Sequence, residues 1–196
     1  MKYIVYKIIR FIFRPIFLLV YRPEYINLEN VPSKGRVILA GNHTNILDAL
    51  IMIFGPKRVV HMMAKKELFN NIIGKWFFKS MACISVDRSI HDSDAKNEAI
   101  NVLNNDELLG IFPEGTINRT NSVLLPFKYG AVSFASKTNS KIVPFAIVGK
   151  YKLFRKNIKI IYGKPYKVNK NLEIDNKLLM KKVEDLIKGV NNYEKK

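Results

Sequence analysis

The sequence predicts a single α/β domain with a mostly buried mixed sheet flanked by helices. An amphipathic helical segment precedes it, dividing the chain into residues 1–22 and 23–196. Two observations carry this prediction. From residue 36 onward, short apolar runs alternate with helical patterns, the order of an α/β sheet. Ahead of them, the first twenty residues are apolar but interrupted by charge. No internal repeat or low-complexity linker divides the chain.

In the opening stretch "KYIVYKIIRFIFRPIFLLVY", Lys7, Arg10 and Arg14 fall inside a window of spanning length. Near a bilayer centre each would cost about 2.5–3.5 kcal/mol, which argues against a spanning helix. At helical periodicity the three lie within an arc of roughly 60°, and apolar side chains cover the rest. A narrow basic stripe on an apolar helix suits a position in the membrane interface, with Lys7, Arg10 and Arg14 on anionic headgroups. Pro15 is expected to break or restart this helix. A cleaved secretory signal is not expected, because the apolar run is interrupted and no small-residue cleavage site follows.

The remaining elements follow in order. "RVILAGN" reads as a buried strand ending near Gly41. Asn45 is placed to cap a helix through "ILDALIMIF", which stops near Gly55-Pro56. "RVVHMMA" is a strand, "KELFNNIIGKWFFKSM" one helix and "CISVDR" a short strand. "DSDAKNEAINVLNN" is a helix with acidic residues in its first turn, favourable to the helix dipole. "ELLGIF" is a strand running into a tight turn at Pro113-Glu114-Gly115. "KYGAVSFASKT" is a short helix, and "KIVPFAIVG" and "NIKIIYG" are strands. A helix over 175–190 closes the chain.

The net charge of +17 is uneven: +5 over residues 1–40, +3 over 41–149 and +9 over 150–196. Such a field draws anionic partners. No nucleic-acid motif accompanies it, and the basic residues lack the interleaved aromatics of single-strand binders, so nucleic acid is not expected as a partner. Cys83 is the only cysteine, so no intrachain disulfide forms, which fits a reducing, intracellular location. His61 and His91 show no ligand spacing to His43, and no metal site is expected.

Three segments follow strands, where sites gather in open α/β sheets: "NHTNILD", "DRS" and "PEGTINR". Asp48 in the first suits a capping position at a helix start, and a lone histidine is often structural. Together, His43 and Asp48 can also form a dyad in which the carboxylate fixes the imidazole tautomer and frees the other nitrogen as a base. Both readings stay open here. Gly115 permits close backbone approach and Thr116 offers a hydroxyl. Glu114 can orient a hydroxyl or a basic neighbour, and Arg119 can pair with phosphate. Asp87 and Arg88 alone would be a surface ion pair.

Taken together, "NHTNILD" with its H-x4-D spacing, "ISVDR", "FPEGT" and "VPFAIV", in that order, resemble the four blocks of the glycerolipid acyltransferases, most closely the bacterial 1-acyl-sn-glycerol-3-phosphate acyltransferases. The resemblance covers roughly residues 36–149. It implies acyl transfer from acyl-CoA or acyl carrier protein to the free hydroxyl of lysophosphatidic acid, giving phosphatidic acid. His43 would be the general base and Asp48 its orienting partner. Arg88, Glu114, Gly115 and Thr116 would bind the acceptor, and Val143 and Pro144 would lie near the acyl chain or the site wall. No cofactor, metal or covalent acyl-enzyme is implied. The family often continues F-P-E-G-T-R-S, whereas this chain has Ile117-Asn118, with its nearest cation at Arg119. The expected location is peripheral, on the cytoplasmic face of the cell membrane. Alternatives are a different acceptor, such as glycerol 3-phosphate or another lysophospholipid, and a non-catalytic protein that binds anionic membranes.

Overall fold

A computed structural model describes residues 3–87, 89–90, 92–169 and 171–193 of the chain. Arg88 and His91 lie outside these. The strands are β1 (Glu24–Ile26), β2 (Val37–Gly41), β3 (Val60–Lys65), β4 (Ile84–Val86), β5 (Leu108–Ile111), β6 (Lys141–Gly149) and β7 (Ile158–Tyr162). They form one sheet in the order β1-β7-β6-β2-β5-β3-β4. The run from β6 to β4 is parallel; β7 is antiparallel to β6, and β1 is parallel to β7. The sheet is therefore mixed, as expected.

The helices are α1 (Ile4–Tyr21), α2 (Asp48–Phe54), α3 (Ile72–Ser80), α4 (Ser93–Asn104), α5 (Gly130–Thr138) and α6 (Leu172–Tyr193). Strand side chains alternate between two core layers, the period of a pleated strand. Ile38 and Ala40 of β2 join Leu109, Ile142 and Ala146 in the layer under α4, α5 and α6. Val37 and Leu39 join Leu108, Val143 and Phe145 in the layer under α1 and α2. Both faces are covered, which is why the central strands read as continuous apolar runs.

Helix α1 differs from expectation in two respects. Pro15 sits inside it without ending it. Tertiary contacts hold both halves: Tyr6 and Arg10 before the proline, Phe17 and Tyr21 after it. The basic stripe is also turned inward. Arg10 donates to the carbonyls of Ile53 (3.0 Å) and Phe54 (3.2 Å), and Arg14 Nε donates to Phe54 (2.9 Å). Those carbonyls end α2, where cations are favoured by the helix dipole. Arg10 and Arg14 are thus not lipid contacts in this arrangement; Lys7 remains exposed. The outward face is apolar, with Ile8, Phe11, Ile12, Ile16 and Leu19 exposed and Phe11 at 83%.

Other boundaries moved for local reasons. The single helix expected over 66–81 is a 3-10 turn, Lys66–Phe69, followed by α3. Asn71 Oδ1 accepts from Gly74 N (2.6 Å) and starts the new helix. Strand β1 is short and half-exposed, so it carries no alternating signal. Helix α6 begins earlier than expected, with Asn171 Oδ1 accepting from Ile174 N (3.1 Å) ahead of the apolar stripe.

Arg14→Ala should lower unfolding stability in the absence of lipid by about 1.5–3 kcal/mol, the net contribution of a charge-assisted hydrogen bond. Urea denaturation measures this. An unchanged midpoint would mean that Arg14 faces outward after all.

Candidate active site

The chain leaves β2 at Gly41 and is pinned at once. Asn42 is buried; its Nδ2 donates to Ile147 O (2.9 Å), and its Oδ1 accepts from Ile147 N (2.7 Å) on neighbouring β6. His43 follows, and its Nδ1 lies 3.0 Å from Asp48 Oδ2. Asp48 has no exposed surface. Its Oδ2 also accepts from Thr44 N (2.5 Å) and Asn45 N (2.8 Å), and its Oδ1 accepts from the Tyr151 hydroxyl (2.8 Å). The expected Asn45 cap is not realised: α2 starts at Asp48 with Leu47 at its cap, and Asn45 instead shapes the turn before it, its N–H donating to Asp48 and its Oδ1 accepting from Leu47 N (3.0 Å). The helix-start and dyad readings are therefore one arrangement: the turn that begins α2 brings the carboxylate to the imidazole.

The turn after β5 supports the other side of His43. Phe112 stacks on the imidazole with ring centroids 4.0 Å apart and planes 9° from parallel. Glu114 is buried, and each carboxylate oxygen is engaged by a backbone amide: Oε1 by His43 N (2.7 Å), Oε2 by Leu125 N (2.8 Å). Burial raises its pKa above the usual carboxylate value, and the bonds from Leu125 and His43 oppose that shift. Glu114 acts here as a brace between loops, which departs from the acceptor contact expected of it. Gly115 has φ +71°, a conformation that favours glycine, and the Lys128 stem lies where a Cβ would point. The backbone amide of Asn118 donates to His43 O (2.7 Å), so the loop after the turn also supports the histidine.

A cavity of about 310 Å³ opens beside His43. Its wall is apolar, with Met63, Val86, Ile111, Ala131 and Phe134, and Lys96, Lys128 and Asp87 also line it. Of the residues expected to bind substrate, Gly115 lines this cavity, whereas Thr116 and Arg119 are exposed and do not. Arg88 lies outside the described residues. Asp87 pairs with Lys66 (3.2 Å). Val143 and Pro144 are buried in β6, and Val143 packs in the core layer under α1 and α2 and so does not line the cavity. His61 packs in the interior beside Glu107 and Tyr3. A larger groove of about 980 Å³ includes Leu28, Pro32, Pro56 and Arg58, ahead of β2 and β3, and none of the dyad. Among the described residues, no group of three or more His, Cys, Asp or Glu gathers as a metal site.

Sequence reasoning missed Tyr151, Phe112, Asn118, Lys96 and Lys128. Phe112 and Asn118 flank the "PEGT" turn and were within reach of that signal. Tyr151 meets Asp48 across 103 residues, and nothing local marks it. Burial, then the adjacent Asp48 carboxylate, push its hydroxyl well above the ordinary tyrosine value, so it remains a proton donor.

A histidine backed by a buried carboxylate, open to an apolar cavity at the carboxyl ends of parallel strands, suits proton abstraction from an alcohol beside a hydrocarbon chain. Residues 22–148 match the family model described as Acyltransferase, and the chain belongs to that family. Its relatives include the 1-acyl-sn-glycerol-3-phosphate acyltransferase of Bacillus subtilis, 36% identical over 71% of this chain and 71% of that protein. The enzyme of that name from Borreliella burgdorferi is 36% identical over 66% of this chain, which spans about half (52%) of that protein. The crystal structure of the 1-acyl-sn-glycerophosphate acyltransferase PlsC from Thermotoga maritima superposes with a TM-score of 0.75 at 20% identity, covering 97% of this chain and 80% of that one. That likeness establishes the fold.

Tyr151→Phe should lower kcat roughly tenfold, the equivalent of about 1.4 kcal/mol in the barrier, with KM little changed, and should also lower the melting temperature, because Asp48 Oδ1 loses its hydroxyl donor. Steady-state kinetics beside a thermal melt measures this. An unaltered kcat would remove Tyr151 from the support of the dyad.

Proposed function

We propose that the protein transfers an acyl group from an acyl thioester to the free hydroxyl of 1-acyl-sn-glycerol 3-phosphate, giving phosphatidic acid. The observation that carries this reading is the His43–Asp48 dyad beside an apolar cavity with lysines in its wall. The relatives bearing that enzyme's name point the same way.

In the proposed reaction, Asp48 accepts the Nδ1 proton of His43 in a hydrogen bond, so Nε2 carries the free lone pair. Nε2 takes the proton of the acceptor hydroxyl as its oxygen attacks the thioester carbonyl. The tetrahedral intermediate collapses, the C–S bond breaks, and the imidazolium returns its proton to the departing thiolate. The products are the ester and the free thiol; the donor is acyl-CoA or acyl carrier protein. In this reading Lys96 and Lys128, which line the cavity, bind the acceptor phosphate, and Arg88 and Arg119 are further candidates for that contact. The Phe134 side of the cavity suits hydrocarbon.

The acceptor is an anionic amphiphile, which calls for a surface that meets lipid. Among the described residues, no helix is long and apolar enough to cross a membrane. The exposed apolar arc of α1 suits insertion to the depth of the headgroup boundary, and the +17 charge favours an anionic leaflet. Peripheral attachment at the cytoplasmic face follows from this reading.

His43→Ala should reduce turnover of lysophosphatidic acid by about 10³-fold, within the range for a general base, with an unchanged melt. Purified protein with each donor, and with glycerol 3-phosphate and other lysophospholipids as competing acceptors, measures both chemistry and choice. Intact turnover in the variant would overturn the mechanism. Preference for a competing acceptor would reassign the substrate.

A further inference from the structure

Helix α3 has no buried residue. Ile72 is 88% exposed, Ile73 79% and Trp76 60%, and Phe77 is exposed beside them. At helical periodicity these four share one arc, and Lys75 and Lys79 lie along one edge of it. The opposite side holds Gly74 and Phe78. Gly74 sits so close to the preceding turn that a Cβ would meet Leu68 O at 2.4 Å, and Phe78 packs on Phe69 with ring centroids 5.4 Å apart. The helix is thus braced on its own preceding turn and presents its apolar arc outward.

Its position is informative. Met81, Ala82 and Cys83, directly after α3, pack in the same core layer as Tyr6 and Phe17 of α1. Helices α4, α5 and α6 cover the other layer. So α3 lies on the sheet face that α1 occupies, and both turn apolar side chains outward. Helix α3 also joins β3 to β4, whose Met63 and Val86 line the cavity beside His43.

We infer that α3 is a second membrane-inserting element, seated in the same anionic bilayer as α1. The inference rests on the membrane reading of α1 given above. Charge selects this occupant. Lys75 and Lys79 border the apolar arc as headgroup contacts, and tryptophan favours the boundary between hydrocarbon and headgroup. A second copy of the chain is disfavoured, because two chains of charge +17 repel. Attachment by α1 alone leaves the protein free to roll about that helix. A second point fixes its tilt and holds the wall of the cavity near the lipid.

Trp76 is the only tryptophan in the chain, so emission excited at wavelengths that tyrosine does not absorb reads this helix alone. The full chain is mixed with phosphatidylcholine vesicles containing phosphatidylglycerol, and attachment is scored by co-sedimentation of the same samples. The expected result is co-sedimentation with a blue shift of Trp76 emission and quenching by brominated acyl chains. Co-sedimentation without shift or quenching overturns the role of α3 and leaves the membrane reading of α1 standing. Failure to co-sediment overturns both. A blue shift that grows with protein concentration in the absence of vesicles assigns the face to self-association and overturns the inference. The double variant Ile72→Ser, Ile73→Ser alters exposed positions only. It should weaken vesicle affinity by about tenfold and keep turnover of a monodisperse short-chain acceptor. Unchanged vesicle affinity would also overturn the inference.

Discussion

A carboxylate with no exposed surface is costly unless donors surround it, and Asp48 is the point on which this site is built. Its oxygens face the imidazole Nδ1, two backbone amides and a phenol. Satisfying it requires the chain to turn sharply after β2, to begin α2 at once and to bring in Tyr151 from beyond β6. His43 is held by Asp48 and by the loops after β5. The backbone N–H of the histidine goes to Glu114, its carbonyl accepts from Asn118, its ring face lies on Phe112 and Nδ1 faces Asp48. The nitrogen not engaged by Asp48 is left for chemistry. If His43 is the base, as proposed, a side chain fixed by so many contacts loses little orientational freedom when substrate arrives, which is where positioning contributes to rate.

Much of this was legible because it is local. His43 and Asp48 lie within one turn, and the Pro-Glu-Gly turn follows a strand whose apolar run is unmistakable. Apolar runs alternating with helical patterns gave the layered sheet, and the acidic first turn gave α4. What was not legible arises from the partners of long-range contacts. Glu114 reads as a substrate contact until two amides are found on it. Val143 lies in a block that resembles a site motif, yet strand alternation turns it toward the other core layer. Tyr151 carries no signal at all, because its role depends on where β6 delivers the chain.

The basic stripe of α1 shows the same limit from the side of electrostatics. Spacing placed Lys7, Arg10 and Arg14 on one face and gave that face to lipid. The competing demand was the end of α2, where carbonyls without intrahelical partners need donors. Arg10 and Arg14 meet that demand. Arg10 and Arg14 form a seam between α1 and the domain, while Lys7 stays exposed and the apolar arc is left outward. Periodicity finds the faces of a helix, but the partner of each face is decided by the unsatisfied groups nearby.

That seam links the outer surface to the dyad. At the far end of α1, Tyr21 packs edge-on against Tyr151 with ring centroids 5.6 Å apart, and the Phe154 amide donates to Val20 O (2.5 Å). Tyr151 and Phe154 belong to the same loop between β6 and β7, so the loop that holds Asp48 is itself clamped to the end of α1. One helix therefore presents the apolar arc and closes the back of the dyad. A displacement of its end reaches Asp48 through two contacts, Tyr21 to Tyr151 and Tyr151 to the carboxylate. The fit of α1 against the domain is thus a condition for the geometry at His43 as well as a matter of where the protein sits.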